Sequence, residues 1–294
     1  MWSLSECIPW MTVGLAESVA IVTLNLCTII IFIRNRNLRK RSMYLVINLA
    51  VMDMFVGGVN VPIYLFYFSG TTCNLWKWHE TDIFIPVLLL LFLSGSLINV
   101  AVIALERVHA TFFPFKHRVL KERVYQLTIV VVWVTSVLKA VACSLLAKFE
   151  KFYQADSLHA TFFSICLLII CVSYTGIVIK FRCGAQPQHH GAASRERKLT
   201  ITLLIVTVVS LLLCLPYTVF WFAYVISKYE IRHSLTPSVT FHLHSALLVL
   251  LYANSLVNPI LYAIRMPEYR SAFLAICRTP HEQRQVAVFP LREM

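Results

Sequence analysis

The chain has 294 residues, 59% of them hydrophobic and only 14% charged, with a formal charge of +12 and a mean hydropathy of +0.73. Soluble domains carry about 25% charged residues, so this composition excludes a soluble globular fold, and a glycine count of 8 excludes a collagen-like or flexible low-complexity chain. An integral membrane protein remains, in which basic residues report topology before they report partners.

A bilayer crossing needs about 20 mostly apolar residues. Seven segments qualify in chain order: Met11 to Ile33, Met43 to Gly70, Ile83 to Leu105, Leu127 to Ala147, Leu158 to Ile179, Leu199 to Ile226 and Ser245 to Ile264. The third, fifth, sixth and seventh contain no Asp, Glu, Lys or Arg. The runs are too long for barrel strands and lack period-two alternation, so they are helices. The predicted fold is an all-α, seven-transmembrane helix bundle. The loops are too short for a second soluble domain, which leaves one domain over 1–294: an N-terminal stretch 1–10, seven helices within 11–264, and a tail 265–294.

Of the 26 Lys and Arg, 20 fall on one side of the bundle, in the loops after the first, third and fifth spans and beyond Arg265. That asymmetry places the N-terminus outside and the C-terminus in the cytosol. The excess charge is therefore a topological signal with attraction for anionic membrane lipid, not a nucleic-acid surface. The N-terminus lacks the basic region and cleavage site of a secretory signal, so the first span is expected to be an uncleaved anchor. Cys7 and Cys73 are the cysteines clearly on the outer side, where a disulfide is chemically permitted; the sequence leaves their pairing open.

Strongly polar groups inside a bilayer cost free energy, about 2.5–3.5 kcal/mol for a central Asp on insertion scales. Asn25, Asp53, Ser96, Asn254, Ser255 and Asn258 all lie within spans, and Asn254 and Asn258 share one helix face by their spacing. Converged, they form either an oxygen-lined site for a hard cation or a hydrogen-bonded network joining helices; spacing alone favours the network. Glu106-Arg107 sits at the lipid boundary of the third span, where Arg107 has two candidate partners, Glu106 and Glu196. Pro62, Pro216 and Pro259 interrupt three spans as tolerated kinks. Lys139 is expected to snorkel toward the outer interface, Glu17 lies near the outer boundary, and His242 and His244 sit at the outer mouth. His189-His190 lack further metal ligands.

Together these residues resemble the rhodopsin-like (class A) family of G-protein-coupled receptors, over nearly the whole chain. The first span has Asn25; the second has Asn48-Leu49-Ala50-Val51-Met52-Asp53, close to the family's NLAxxD. The third ends in Glu106-Arg107-Val108, a variant of DRY, followed by Pro114-Phe115. Trp133 marks the fourth span and Tyr174 the fifth. The sixth carries Glu196 and Cys214-Leu215-Pro216-Tyr217, similar to CWxP, and the seventh ends in Asn258-Pro259-Ile260-Leu261-Tyr262, an intact NPxxY.

The resemblance implies residue roles. Asp53, Ser96, Asn254 and Asn258 match the allosteric sodium pocket, which turns the reading of these residues toward an ion site; no cofactor is required. Arg107 with Glu106 and Glu196 matches the ionic lock of the inactive state. Tyr174, Cys214, Pro216, Asn258, Pro259 and Tyr262 complete the activation switch, and Arg107 and Phe115 match contacts to a heterotrimeric G protein. Glu268 to Cys277 resembles the short amphipathic eighth helix, with Cys277 as its palmitoylation site. The ligand pocket inferred in this way is Leu89, Leu90, Leu93, Tyr217, Trp221, Leu248 and Tyr252.

There are departures. Cys214 replaces the toggle Trp, Cys166 replaces the fifth-span proline, and Asp82 stands where the family's third-span disulfide cysteine is usual. The short second outer loop without cysteine loosely resembles melanocortin, cannabinoid and lysophospholipid receptors, although Ile63 and Pro86 do not reproduce the melanocortin acidic cluster. Leu89 cannot pair with a biogenic amine, and Tyr252 cannot form a retinal Schiff base. An apolar, aromatic pocket fits a lipid or a peptide's hydrophobic anchors. The implied function is a cell-surface receptor that binds an extracellular ligand and activates heterotrimeric G proteins. Alternatives are a receptor-like protein that has lost signalling, given Cys214 and Cys166, and a transporter, which would need repeats or a continuous polar path. An intramembrane enzyme is rejected because Ser94-Gly95-Ser96 shows no His or Lys partner at its depth.

Overall fold

A computed structural model describes residues 3–35, 41–74, 84–183, 192–226 and 236–277, all helical apart from turns and caps, with no strand among them. Asp82 and His189-His190 lie outside the described residues. Seven helices are long and apolar enough to cross a membrane. They run Leu4–Arg34, Met43–Pro62 continuing as a wider π-helix over Ile63–Thr72, Phe84–Phe112, Glu122–Lys148, Phe152–Cys183, Ala192–Ile226 and Pro237–Arg265. A short helix, Pro114–Val119, follows the third span, and Pro267–Cys277 follows the seventh.

The first, fourth, fifth and seventh helices outrun their apolar cores at both ends. The first helix begins at Leu4 rather than Met11, started by a capping arrangement in which the Ser3 backbone N–H donates to Glu6 Oε2 at 3.1 Å. The fifth begins at Phe152 rather than Leu158, so the loop before it is only Phe149 to Lys151, turned by Glu150 at a positive φ of 58°. Apolar composition marks where hydrocarbon ends; helical hydrogen bonding continues into the interface. After Pro62, whose missing N–H releases a backbone carbonyl, the second span widens into π geometry rather than stopping.

The third span is the central one, packing against the second, fourth, fifth and sixth; the first packs on the second and seventh. The larger buried cluster lies toward the basic end and includes Leu49, Leu97, Val100, Ile170, Leu203 and Tyr262. A second cluster, with Met52, Val56, Phe92 and Tyr252, lies nearer the other end. Small residues let the helices approach. At Gly57 an added Cβ would lie 2.8 Å from the Ser18 carbonyl oxygen, and at Gly14 it would lie 2.2 Å from the Tyr64 ring. At the end opposite the basic loops, Cys7 and Cys73 form a disulfide with Cα atoms 6.0 Å apart, covered by Phe241, Trp10, Met11 and Phe68.

Because the atom that meets it at Gly57 is backbone, a methyl group there cannot be absorbed by a rotamer change. Gly57→Ala is expected to destabilise the bundle by about 1–3 kcal/mol, seen as a lower melting temperature of the detergent-solubilised protein. An unchanged melt would show that the first and second spans are looser than described.

Candidate functional site

Asp53 is fully buried in the second span, away from bulk solvent, where a carboxylate is costly unless its oxygens are hydrogen-bonded. Three side chains from two other spans close on it. Ser96 Oγ donates to Oδ1 at 2.6 Å, Ser255 Oγ donates to the same oxygen at 2.8 Å, and Asn258 Nδ2 donates to Oδ2 at 2.8 Å. Of the four residues matched to an ion pocket, the structure thus brings Ser96 and Asn258 to the carboxylate. Asn254 is buried on the same helix face, without a hydrogen bond to Asp53 among the described residues. Ser255, absent from the expected set, takes the third place. The amide oxygens of Asn254 and Asn258 are both buried without hydrogen-bond partners. A carboxylate, two hydroxyls and two spare amide oxygens form a donor set suited to a small hard cation.

The remaining span asparagines join helices. Asn25 Nδ2 donates to the Ser255 carbonyl at 2.9 Å, Asn99 Nδ2 to the Leu45 carbonyl at 3.0 Å, and Trp133 Nε1 to Asn48 Oδ1 at 3.0 Å. The Asn25 bond holds the backbone of Ser255, so it positions one of the Asp53 donors. Cys214 is buried, and Thr218 Oγ1 donates to its carbonyl at 2.9 Å beside the break at Pro216.

At the basic end Arg107 is wholly buried and ion-paired with Glu106. Glu106 is held by more than Arg107. His117 Nε2, on the short helix after the third span, lies 2.6 Å from Glu106 Oε1, and Tyr125 Oη of the fourth span donates to the same oxygen at 3.3 Å. Sequence reasoning missed His117 and Tyr125 because neither lies within helical spacing of Glu106. Glu196 is on the sixth span, but its side chain lies outside the described residues. Phe115 projects from the short helix at 81% exposure, placing an exposed aromatic ring at Arg107's end of the bundle.

Tyr174 Oη accepts from Thr207 Oγ1 at 2.9 Å and so bridges the fifth and sixth spans. Tyr262 is buried, with an Oη that makes no hydrogen bond among the described residues. Its ring meets Phe32 edge-on at 6.3 Å and Tyr269 at 6.0 Å. The helix Pro267–Cys277 is docked by Tyr269, whose hydroxyl lies 2.7 Å from Thr28 Oγ1 and whose phenol burial pushes up to about 12. The Cys277 side chain is outside the described residues.

Of the expected pocket, Leu89, Leu93, Leu248 and Tyr252 pack in one cluster. Tyr217 and Trp221 stack at 6.0 Å, with His244 6.2 Å from Tyr217; Leu90 is half-buried on the same helix. His242, at the outer mouth, accepts from Trp10 Nε1 at 2.9 Å. Two readings need correcting. Lys139 does not snorkel: it is 6% exposed and turned inward. Ser94 does have basic neighbours, because Lys139 Nζ donates to Ser94 Oγ at 2.9 Å and to His159 Nδ1 at 2.7 Å.

The family model for the seven-transmembrane receptors of the rhodopsin family matches residues 24–159 and 142–262. Relatives include the histamine H2 receptor of Canis lupus familiaris, 26% identical over 83% of this chain and 72% of the receptor. The adenosine receptor A3 of the same species is 22% identical over 92% of this chain and 91% of the receptor. The allatostatin-A receptor of Bombyx mori is 24% identical over 87% and 76%.

The Glu106 cluster is testable without a ligand. His117→Ala removes the bond that ties Pro114–Val119 to the third span, so amide hydrogen exchange should quicken across that segment and stay unchanged in the third and fourth spans. Unaltered exchange at Pro114–Val119 would mean that other contacts hold it.

Proposed function

The chain belongs to the rhodopsin family of seven-transmembrane receptors and is a G-protein-coupled receptor rather than an enzyme, and from there we propose how it works and what it binds. The N-terminus and the disulfide face outward, and the basic end, with Arg107, Phe115 and Pro267–Cys277, faces the cytosol and the anionic lipid of that leaflet. The ligand is peptide-like or lipid-like rather than an amine. One relative is named for histamine, an amine; here the third-span position that would carry an amine's counter-ion is Leu89, set in an apolar cluster with Leu93, Leu248 and Tyr252. Peptides reach such pockets with apolar anchors, and lipids with acyl chains.

The observation that carries the signalling reading is Arg107. It is a fully buried cation held by Glu106 at the basic end of the central helix, next to the most exposed aromatic ring of that end, Phe115. The family resemblance supplies Glu196 as a second partner, which would tie the sixth span inward. Agonist binding favours the state in which the sixth span swings out and Arg107 is released to the G protein. Tyr262 and Tyr174 take part in that rearrangement, and the spare hydroxyl of Tyr262 supports its having a second position. Cys214 with Pro216 bends the sixth span without a toggle Trp. Asp53, Ser96, Ser255, Asn254 and Asn258 hold an allosteric sodium ion in the inactive state, and Cys277 carries a lipid chain.

Basal G-protein dissociation in cells, measured across the Gα families at matched surface expression, tests this. Wild type should release Gα of one family, Arg107→Ala and Phe115→Ala should lose that signal, and Glu196→Ala should raise it by up to about fivefold, the size of an ion pair worth 1 kcal/mol. A basal signal unchanged by Arg107→Ala would contradict the coupling, and a flat or lowered signal in Glu196→Ala would remove the lock.

A further inference from the structure

Lys139 is a cation in the wrong place for a structural residue. It lies inside the fourth span, 6% exposed, and among the described residues its ammonium meets Ser94 Oγ at 2.9 Å, His159 Nδ1 at 2.7 Å and the Phe162 ring at 5.5 Å, with the buried Cys143 and Cys166 thiols near enough to act on it electrostatically. His159 accepts through Nδ1, so its ring is neutral with the proton on Nε2, and it stacks on Phe163 at 5.0 Å. Ser94 is already committed as a donor, to the Leu90 carbonyl. Among the described residues no carboxylate forms an ion pair with Lys139; the ion pairs there involve Glu106 and Glu6. Asp156, one turn before His159, does not reach it. Buried ions in hydrocarbon are normally matched by an opposite charge, and leaving one unmatched costs several kcal/mol. This ammonium is held between three spans with no carboxylate paired to it among the described residues.

Its location names the anion's source. Ser94 lies one turn from Leu90 and on the same helix as Leu93, both in the expected pocket, and the Phe162 ring covers the ammonium while Phe163 stacks on His159. We propose that Lys139, with Ser94 and His159, anchors the anionic head group, a carboxylate or phosphate monoester, of an amphiphilic ligand whose tail lies along the apolar pocket. The inference deepens the lipid-like reading of the ligand and rests on it. A structural role would need only hydrogen bonding, which a neutral Gln or Met with repacking could replace; an anchor needs the positive charge.

The test uses full-length protein in phosphatidylcholine nanodiscs and reads the melting temperature against added oleate, oleoyl lysophosphatidate and neutral glycerol monooleate. At least one anionic probe should raise the melting temperature saturably while glycerol monooleate does not. A response to oleate alone identifies a carboxylate ligand, and one to lysophosphatidate alone a phosphate ligand. Lys139→Met and Lys139→Gln should weaken that response at least about tenfold, the worth of one charge-assisted hydrogen bond, and Lys139→Arg should keep it. Equal shifts from glycerol monooleate, full responses in both neutral variants, or no shift from any probe would each overturn the anchor. Because the readout is binding, a Lys139-dependent shift in a chain that never releases Gα would keep the anchor and overturn the coupling.

Discussion

A carboxylate in the middle of a bilayer has no water to stabilise it, and Asp53 therefore dictates what must surround it. Its oxygens take donors from the third span through Ser96 and from the seventh through Ser255 and Asn258. Because hydrocarbon gives apolar side chains no reason to prefer one helix over lipid, polar contacts of this kind set which helices meet and in what register. Asn25 extends the constraint to the first span by gripping the Ser255 backbone, and Asn48 with Trp133 extends it from the second to the fourth. Five of the seven spans are thereby registered around one buried charge.

The same shortage of water explains the two other polar islands. At the basic end Arg107 and Glu106 neutralise each other, and His117 and Tyr125 complete the coordination of the carboxylate. Toward the opposite end Lys139 is held by the neutral dipoles of Ser94 and His159, with no ion pair among the described residues. A matched pair is at rest until a partner displaces it, and an unmatched charge attracts a ligand. Between these islands lie apolar packing and the Tyr262 ring against Phe32 and Tyr269, so a change at one end has to pass through helices that Asp53 already ties together.

The spans were legible because length and apolarity are dictated by bilayer thickness, whereas their ends at Leu4, Glu122 and Phe152 were not, since helices continue beyond the hydrocarbon. The motifs located Asp53, Arg107, Pro216 and Tyr262 within their helices. What the sequence hid were partnerships between residues far apart in the chain. Ser94, Lys139 and His159 share no local period, nor do Glu106, His117 and Tyr125, and only tertiary packing brings each set together. Lys139 was misread for the same reason: a lone lysine near a span end snorkels unless neighbouring helices offer it acceptors, and here two of them do. The Cys7–Cys73 pairing, left open by the sequence, was decided by the helices that bring the two Cα atoms to 6.0 Å.

We propose that the Asp53 cluster binds sodium as well as joining helices, and a sodium titration of stability separates the two roles. Purified protein would be melted in rising NaCl against equal ionic strengths of choline chloride, for wild type and Asp53→Asn. Wild type should show a saturable, sodium-specific rise in melting temperature, as expected of a ligand that binds only the folded state, and Asp53→Asn none. Equal responses to sodium and choline, or a sodium response that persists in Asp53→Asn, would contradict it and leave the cluster as structural hydrogen bonding.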